Sequence, residues 1–278
     1  PPRSTLFPYT TLFRSQSMKL DLIQIDAFAE KVFQGNPAAV CPLSNRLEDS
    51  VMQSIASENN LSETAFILKS GVDQYDIRWF TPDGEVDLCG HATMASAHFL
   101  FERKLVDGRT VVFNSRSGRL PVCRHADGQL EMDFPAQTFA PCEAPPQLLS
   151  GLNVGMKETY RSIDYLVILE NQQQVLNCTP DMNQLMTLDL RGVIISARGH
   201  CSDFVSRFFA PKYGIHEDPV TGSAHCILAP YWAKTLSKAI LKARQLSKRG
   251  GQLTCEMNGK RVFLKGRAVT YMTGEITI

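Results

Sequence analysis

The chain has 278 residues, 44% of them apolar and 21% charged, with a formal net charge of +1. That balance is typical of a globular protein large enough for two domains. It excludes a disordered polymer and any global electrostatic pull toward nucleic acid or an anionic membrane. The expected partners are small molecules or a second copy of the chain.

Pro1–Ser17 lacks an initiating Met, repeats Thr-Leu-Phe, and has neither the apolar core nor the small-residue cleavage site of a secretory signal. It reads as a non-native leader, with Met18 as the native start. Leu20–Phe28 alternates as a half-buried strand does, and Gly35-Asn36-Pro37 punctuates before the apolar run Ala38–Cys41. Leu47–Glu58 has helical spacing, Ser62–Leu68 and Tyr75–Phe80 read as strands, and Ala92–Glu102 is apolar on most sides, as a buried helix is. Thr110–Asn114, Gly118–Arg124 and Gln129–Phe134 complete a first half that closes near Phe134-Pro135. A Pro-rich linker, Pro135–Pro146, leads to a short helix around Leu148 and Leu149. Tyr165–Leu169, Gly192–Ala197 and Asp203–Phe209 are strands of the second half, and Ser223–Lys238 is its helix. Gln252–Met257 and Lys260–Leu264 flank Asn258-Gly259, which predicts a type I′ hairpin. Ala268–Met272 is a last strand.

Two stretches repeat one another: R-W-F-T-P-D-G-E-V-D-L-C-G-H-A-T from Arg78 to Thr93, and R-F-F-A-P-K-Y-G-I-H-E-D-P-V-T-G-S-A-H from Arg207 to His225. Each is a strand, a polar loop, and a glycine that opens a helix. The offset, from Arg78 to Arg207, is 129 residues, too long for a solenoid and suited to a duplicated domain. The expectation is an α+β pair of pseudo-symmetric domains, residues 18–134 and 135–278, with the terminal strand free to cross over. Two helix N-termini would face one cleft, where their unpaired N–H groups favour an anion.

In that cleft Gly90 and Gly222 let a ligand approach the backbone, Thr221 is placed to cap its helix, and His91 and Asp218 add a titratable group on each side. Glu63, in L-S-E-T-A-F-I, stands at the head of an apolar strand. Apolar walls would disfavour its charged form and tune it for proton transfer, although a strand-end glutamate is more often simply solvated. Cys89 raises the idea of a two-thiol epimerase, but the matching position is Thr221, with Cys226 a helical turn inward. No pair among Cys89, His91, His98, His216 and His225 has a spacing that forces metal binding, so no metal is expected. The eight cysteines include no C-x-x-C pair and fit free thiols in the cytoplasm. No apolar run approaches the roughly 20 residues that span a bilayer. Lys234, Lys238 and Lys242 recur every fourth residue, as on one solvated helix face, and no aromatics interleave to stack bases.

Four motifs carry a specific resemblance: Q-I-D-A-F with F-x-G-N-P-A-A-V, N-N-L-S-E-T-A-F, D-L-C-G-H-A-T and E-D-P-V-T-G-S-A-H. In this order and spacing the chain resembles the PhzF family of phenazine biosynthesis-like isomerases, from about Met18 to Ile278. The resemblance implies a fold similar to diaminopimelate epimerase, in which each of two domains wraps a mostly antiparallel sheet around a central helix. It implies a site in the cleft that needs no metal, nucleotide or organic cofactor, and by analogy a homodimer. It makes Glu63 the acid/base. Gly90, His91, Asp218, Gly222 and Ser223 become the groups that hold and polarise a small carboxylate substrate, and Asn36 lines the same cleft. A cofactor-independent isomerase is the function so implied. An epimerase or racemase of an amino or hydroxy acid, and a non-catalytic carboxylate binder, are the alternatives.

Overall fold

The computed structural model describes residues 17–278, so the leader read above lies, up to residue 16, outside the described residues. In the first half, seven strands lie side by side: Lys19–Ala27, Asn36–Leu43, Glu63–Gly71, Gln74–Phe80, Thr110–Ser115, Gly118–Arg124 and Leu130–Pro135. Their successive pairings run antiparallel, parallel, antiparallel, parallel, antiparallel, antiparallel. The second half repeats that series with Met156–Arg161, Tyr165–Leu169, Val193–Arg198, Phe204–Ala210, Ile240–Gln245, Gly251–Asn258 and Arg261–Gly266. The α+β architecture with two pseudo-symmetric, mostly antiparallel sheets is therefore present.

Each sheet curls around one helix, Gly90–Glu102 in the first half and Gly222–Leu236 in the second. Both helices are rich in small and apolar residues on every side, which is what full enclosure demands. Ala92, Met94, Ala95 and Leu100 of the first, and Ala224, Ile227, Leu228 and Trp232 of the second, are buried in a shared core. Phe113, Phe204 and Trp79 come from the surrounding strands and are almost fully enclosed. Burial of one large apolar side chain contributes on the order of 1.5–3 kcal/mol, so the helices are held by their wrapping strands far more than by helix propensity.

The halves are joined twice over. Leu130–Pro135 pairs antiparallel with Arg261–Gly266, which makes the two sheets continuous. The chain that leaves each half then closes the edge of the other: Ala140–Pro141 pairs with Met156–Arg161, and Ala268–Thr277 returns to pair with Lys19–Ala27.

The repeated arginines are structural. Arg78 bonds Glu85 at 2.7 Å and Asp49, in the first turn of the helix Asp49–Asn59, at 2.6 Å. Arg207 bonds Glu217 at 2.6 Å and the carbonyls of Val175 and Cys178 at the end of the helix Gln172–Asn177. Each therefore ties its strand and loop to a flanking helix.

Two expectations need correction. The lysine series is not one helix face, because the helix stops at Leu236 with Ser237 in a left-handed cap (φ 51°), and Lys242 stands on the strand Ile240–Gln245. Alternating burial along that strand, with Leu241 and Ala243 inward, was masked by Lys242 and Arg244 at outward positions. The hairpin loop is Gly259-Lys260, since Asn258 pairs with Arg261, and positive φ falls on Gly259 (59°) but not on Asn258. That is the pattern of a type II′ turn, with glycine at the first central position, in place of type I′. Arg249, farther along, bonds the buried Asp26 at 2.8 Å and the carbonyls of Gly35 and Gln34.

Candidate active site

The starts of the two central helices line one cavity of about 320 Å³, together with Glu63, Asp218 and an apolar wall that includes Phe134, Phe208 and Ile215. A larger cavity of about 410 Å³ lies beside the helix Asp49–Asn59, but there Arg78 is already neutralised by Glu85 and Asp49. Of the residues singled out from the sequence, Glu63, Gly90, His91, Asp218, Gly222 and Ser223 all meet in the 320 Å³ cavity.

Glu63 opens the strand Glu63–Gly71, and its Oε2 lies 3.0 Å from Nε2 of His91, the second residue of the first helix. The approach is off the N–H axis, so neither atom has a well-aligned hydrogen-bond partner although both are buried. The other ring nitrogen, Nδ1, faces the Cys89 sulfur at 3.5 Å and the Asn36 amide at 3.3 Å. Burial alone would push the His91 pKa down, but the neighbouring Cys89 and Glu63 raise it well above the ordinary value. Burial pushes the Cys89 thiol up, so at neutral pH the sulfur is an uncharged SH.

Asp218 ends the strand Ile215–Asp218 on the opposite side. Burial raises its pKa to about 6, against the opposing pull of His91 and of donors from Thr221 and Asn36. Its Oδ2 accepts from the Thr221 hydroxyl, and its Oδ1 accepts from Asn36 Nδ2 at 2.8 Å. The expected helix cap by Thr221 is thus not made, because Asp218 competes for the hydroxyl. Asn36 likewise does not line the cavity. It is fully buried behind it, bonded also to the Val220 carbonyl at 3.0 Å, and so joins the two halves. Gly35 makes that placement possible: its φ is 67°, and a Cβ there would stand 2.1 Å from the Ala27 carbonyl oxygen.

Gly90 and Gly222 differ from Gly35. A Cβ at either would meet only ordinary contacts, 3.6 Å to Phe134 and 3.7 Å to Leu264. Packing within the protein does not require these glycines, and what they keep open is access to the helix-start N–H groups.

Glu63, Cys89 and His91 place three metal-ligating atoms within 4.8 Å of one another, a convergence the sequence spacing did not suggest. The two nitrogens of His91 face different partners, Glu63 on one side and Cys89 on the other. One ion could not take the set without turning the ring. Sequence reasoning also missed Arg191, which lines the cavity and donates from Nη2 to the Ser223 hydroxyl at 3.0 Å. It sits outside every motif, and only the register of the repeat would have found it.

The sequence model for "Phenazine biosynthesis-like protein" matches residues 25–274. The chain belongs to the PhzF family. A curated relative, an uncharacterized isomerase of Pseudomonas aeruginosa, is 50% identical over 260 residues, which cover 93% of this chain and 99% of the relative. An uncharacterized isomerase of Halalkalibacterium halodurans is 42% identical, over 94% of this chain and all of the relative. Among solved structures, a PhzF family protein of Enterococcus faecalis is 46% identical with a TM-score of 0.90, over 93% of this chain and 99% of that one. A hydroxyproline epimerase of Agrobacterium vitis shares the fold at 11% identity and a TM-score of 0.62. As a PhzF-family member with full-length relatives named isomerases, the protein is an enzyme of the isomerase type. Among the described residues no helix is long and apolar enough to cross a membrane.

Proposed function

We propose that this PhzF-family protein moves a proton between two positions of a small carboxylate substrate, with Glu63 as the acid/base and no cofactor. The observation that carries the reading is Glu63 Oε2, buried beside His91 at 3.0 Å, without a well-aligned donor and at the wall of the cavity. A carboxylate so placed accepts a proton from carbon while the electron pair it leaves spreads toward the substrate carboxylate. The N–H groups at the starts of Gly90–Glu102 and Gly222–Leu236, with protonated His91, stabilise that negative charge. Glu63 then returns the proton to a second carbon, so no net oxidation occurs. Asn36 and Thr221 position Asp218, and Ser223 supplies a hydroxyl to the substrate.

The repeat favours an isomerase over an epimerase that uses opposed bases. With Arg78 and Arg207 matched, the strand registers make Gly192 the counterpart of Glu63. A Cβ at Gly192 would meet the Phe208 ring and the Phe209 carbonyl oxygen at 2.7 Å, so no acid can stand there. Proton removal and return by one group on one face suit a shift along the substrate. All eight cysteines are unpaired, which supports a reducing compartment such as the cytoplasm.

The test is to incubate unsaturated and α-substituted carboxylic acids with protein in deuterated water. Deuterium at a new position with a moved double bond is the expected result; exchange with inversion at one carbon marks an epimerase. Glu63→Gln should retain ligand binding and lose exchange, and near-normal exchange in that variant rejects the assignment.

A further inference from the structure

The register that places Gly192 opposite Glu63 also places Arg191 opposite Ser62, at the mouth of the matched loop. The two helix starts are matched as well, His91 with Ser223. The first half therefore sets a carboxylate against its helix start, 3.0 Å from His91, and the second half sets a guanidinium against its own, 3.0 Å from Ser223. The repeat thus sets groups of opposite charge beside its two helix starts, from positions one residue apart in the matched strands.

Arg191 is held in place before any ligand arrives. Its Nε and Nη2 grip both oxygens of Asp164, which is fully buried, the first at 2.9 Å. Its guanidinium carbon lies 5.4 Å from the centre of the Phe208 ring. Nη1 has no acceptor among the described residues, and about a third of the side chain (36%) remains open to the cavity. Because the Ser223 oxygen accepts from Arg191, the Ser223 hydrogen is free to donate elsewhere. Nη1 and the Ser223 hydroxyl thus offer two donors beside the positive end of the helix Gly222–Leu236. A fixed guanidinium with a free edge binds a carboxylate at less entropic cost than a mobile one.

We infer that Arg191 and Ser223 form an anchor for a second carboxylate, and that the substrates are dicarboxylates whose reacting C–H lies on the Glu63 side. Arg191 is then a residue that sets specificity and takes no part in proton transfer. This inference rests on the reading of the cavity as the substrate site.

Isothermal titration calorimetry tests it with malonate, succinate and glutarate against propionate, butyrate and valerate. Wild type should bind at least one dicarboxylate about tenfold or more tightly than the monocarboxylate of equal length, ~1.4 kcal/mol. Arg191→Met alone would strand the buried Asp164 carboxylate, so it is paired with Asp164→Asn, and folding is checked by circular dichroism. That double variant should bring the ratio close to one by a larger loss of dicarboxylate than of monocarboxylate affinity, and Arg191→Lys should retain part of the preference. Absence of a dicarboxylate preference in wild type, or its persistence in the double variant, overturns the inference. Glu63→Gln should keep the preference. If wild type shows the Arg191-dependent preference but exchanges no deuterium with any acid, the isomerase reading fails and the anchor stands.

Discussion

Asn36 of the first half donates to Asp218 of the second across 2.8 Å, and neither residue is open to water to any large extent. The bond spans 182 positions of chain and fixes one wall of the cavity against the other. Truncation to alanine leaves a buried carboxylate and the Val220 carbonyl without this donor. Asn36→Ala should therefore lose about 1–3 kcal/mol of stability in urea denaturation. A loss below about 0.5 kcal/mol, the scale of an ordinary surface change, would show that the link is replaceable.

Asp218 gives the protein a pH signature. Its folded pKa of about 6 lies above the ordinary ~3.9, so the folded state binds more protons than the unfolded state between those values. Stability from this group rises as pH falls through the window, and above pH 6 the ionised carboxylate exerts its full cost. Relative to Asp218→Asn, wild type should gain on the order of 2–3 kcal/mol between pH 7 and pH 4. Parallel stability curves for the two proteins would contradict the raised pKa.

His91 titrates in the opposite charge sense. Its folded pKa is raised, so its stabilising contribution is complete below the unfolded value of ~6.5 and fades as pH rises through the folded value. Nuclear magnetic resonance of the ring Cε1–H should place the midpoint above 6.5 in wild type. In Glu63→Gln it should fall, because burial is then less opposed. An unmoved midpoint would remove Glu63 as the cause.

Gly222→Ala separates stability from function. Beyond its chain neighbours and its own helix backbone the new methyl meets no protein atom closer than 3.7 Å, and at the first position of the helix the change contributes up to roughly 0.5 kcal/mol of stability. The melting temperature should rise while affinity for carboxylates drops, since the methyl stands over the helix-start N–H groups. A variant that gains stability and binds normally would show that the ligand lies elsewhere.

Cys89→Ala probes the two-thiol alternative. The thiol is buried with a raised pKa and its matched residue is Thr221, so turnover should stay within a few fold of wild type. A loss of a hundredfold or more would restore cysteine chemistry to the reaction.

Much of the site was legible because its residues sit in short motifs with strong local chemistry. Gly90-His91 and Gly222-Ser223 announce helix starts, and the duplicated R-x-F strand announces the repeat that brings them together. Strands with clean alternation or clustered β-branched residues, such as Tyr165–Leu169, could be read directly. Ile240–Gln245 could not, because lysine and arginine at its outward positions continue the spacing of the helix before it. Asn36 was legible as important but not in its role: residue type does not tell whether an amide faces a ligand or holds another side chain. Arg191 was invisible, since its significance comes only from the register of two strands far apart in sequence. Asp164, its partner, is buried at the end of a turn that carries no apolar pattern.

The exchanged edge strands have a consequence for how the protein comes into being. Lys19–Ala27 leaves the ribosome before the rest of its own half, whereas Ala268–Thr277, which covers its open edge, follows both halves. The first half must therefore wait through the making of the second with an unpaired edge, and Asn36 must wait for Asp218. A fragment halted after the first half but before residue 268 contains Glu63 but leaves this edge of Lys19–Ala27 without its strand. The cavity is thus a late product of synthesis, complete only once Asp218 and the helix Gly222–Leu236 have joined Glu63 and His91.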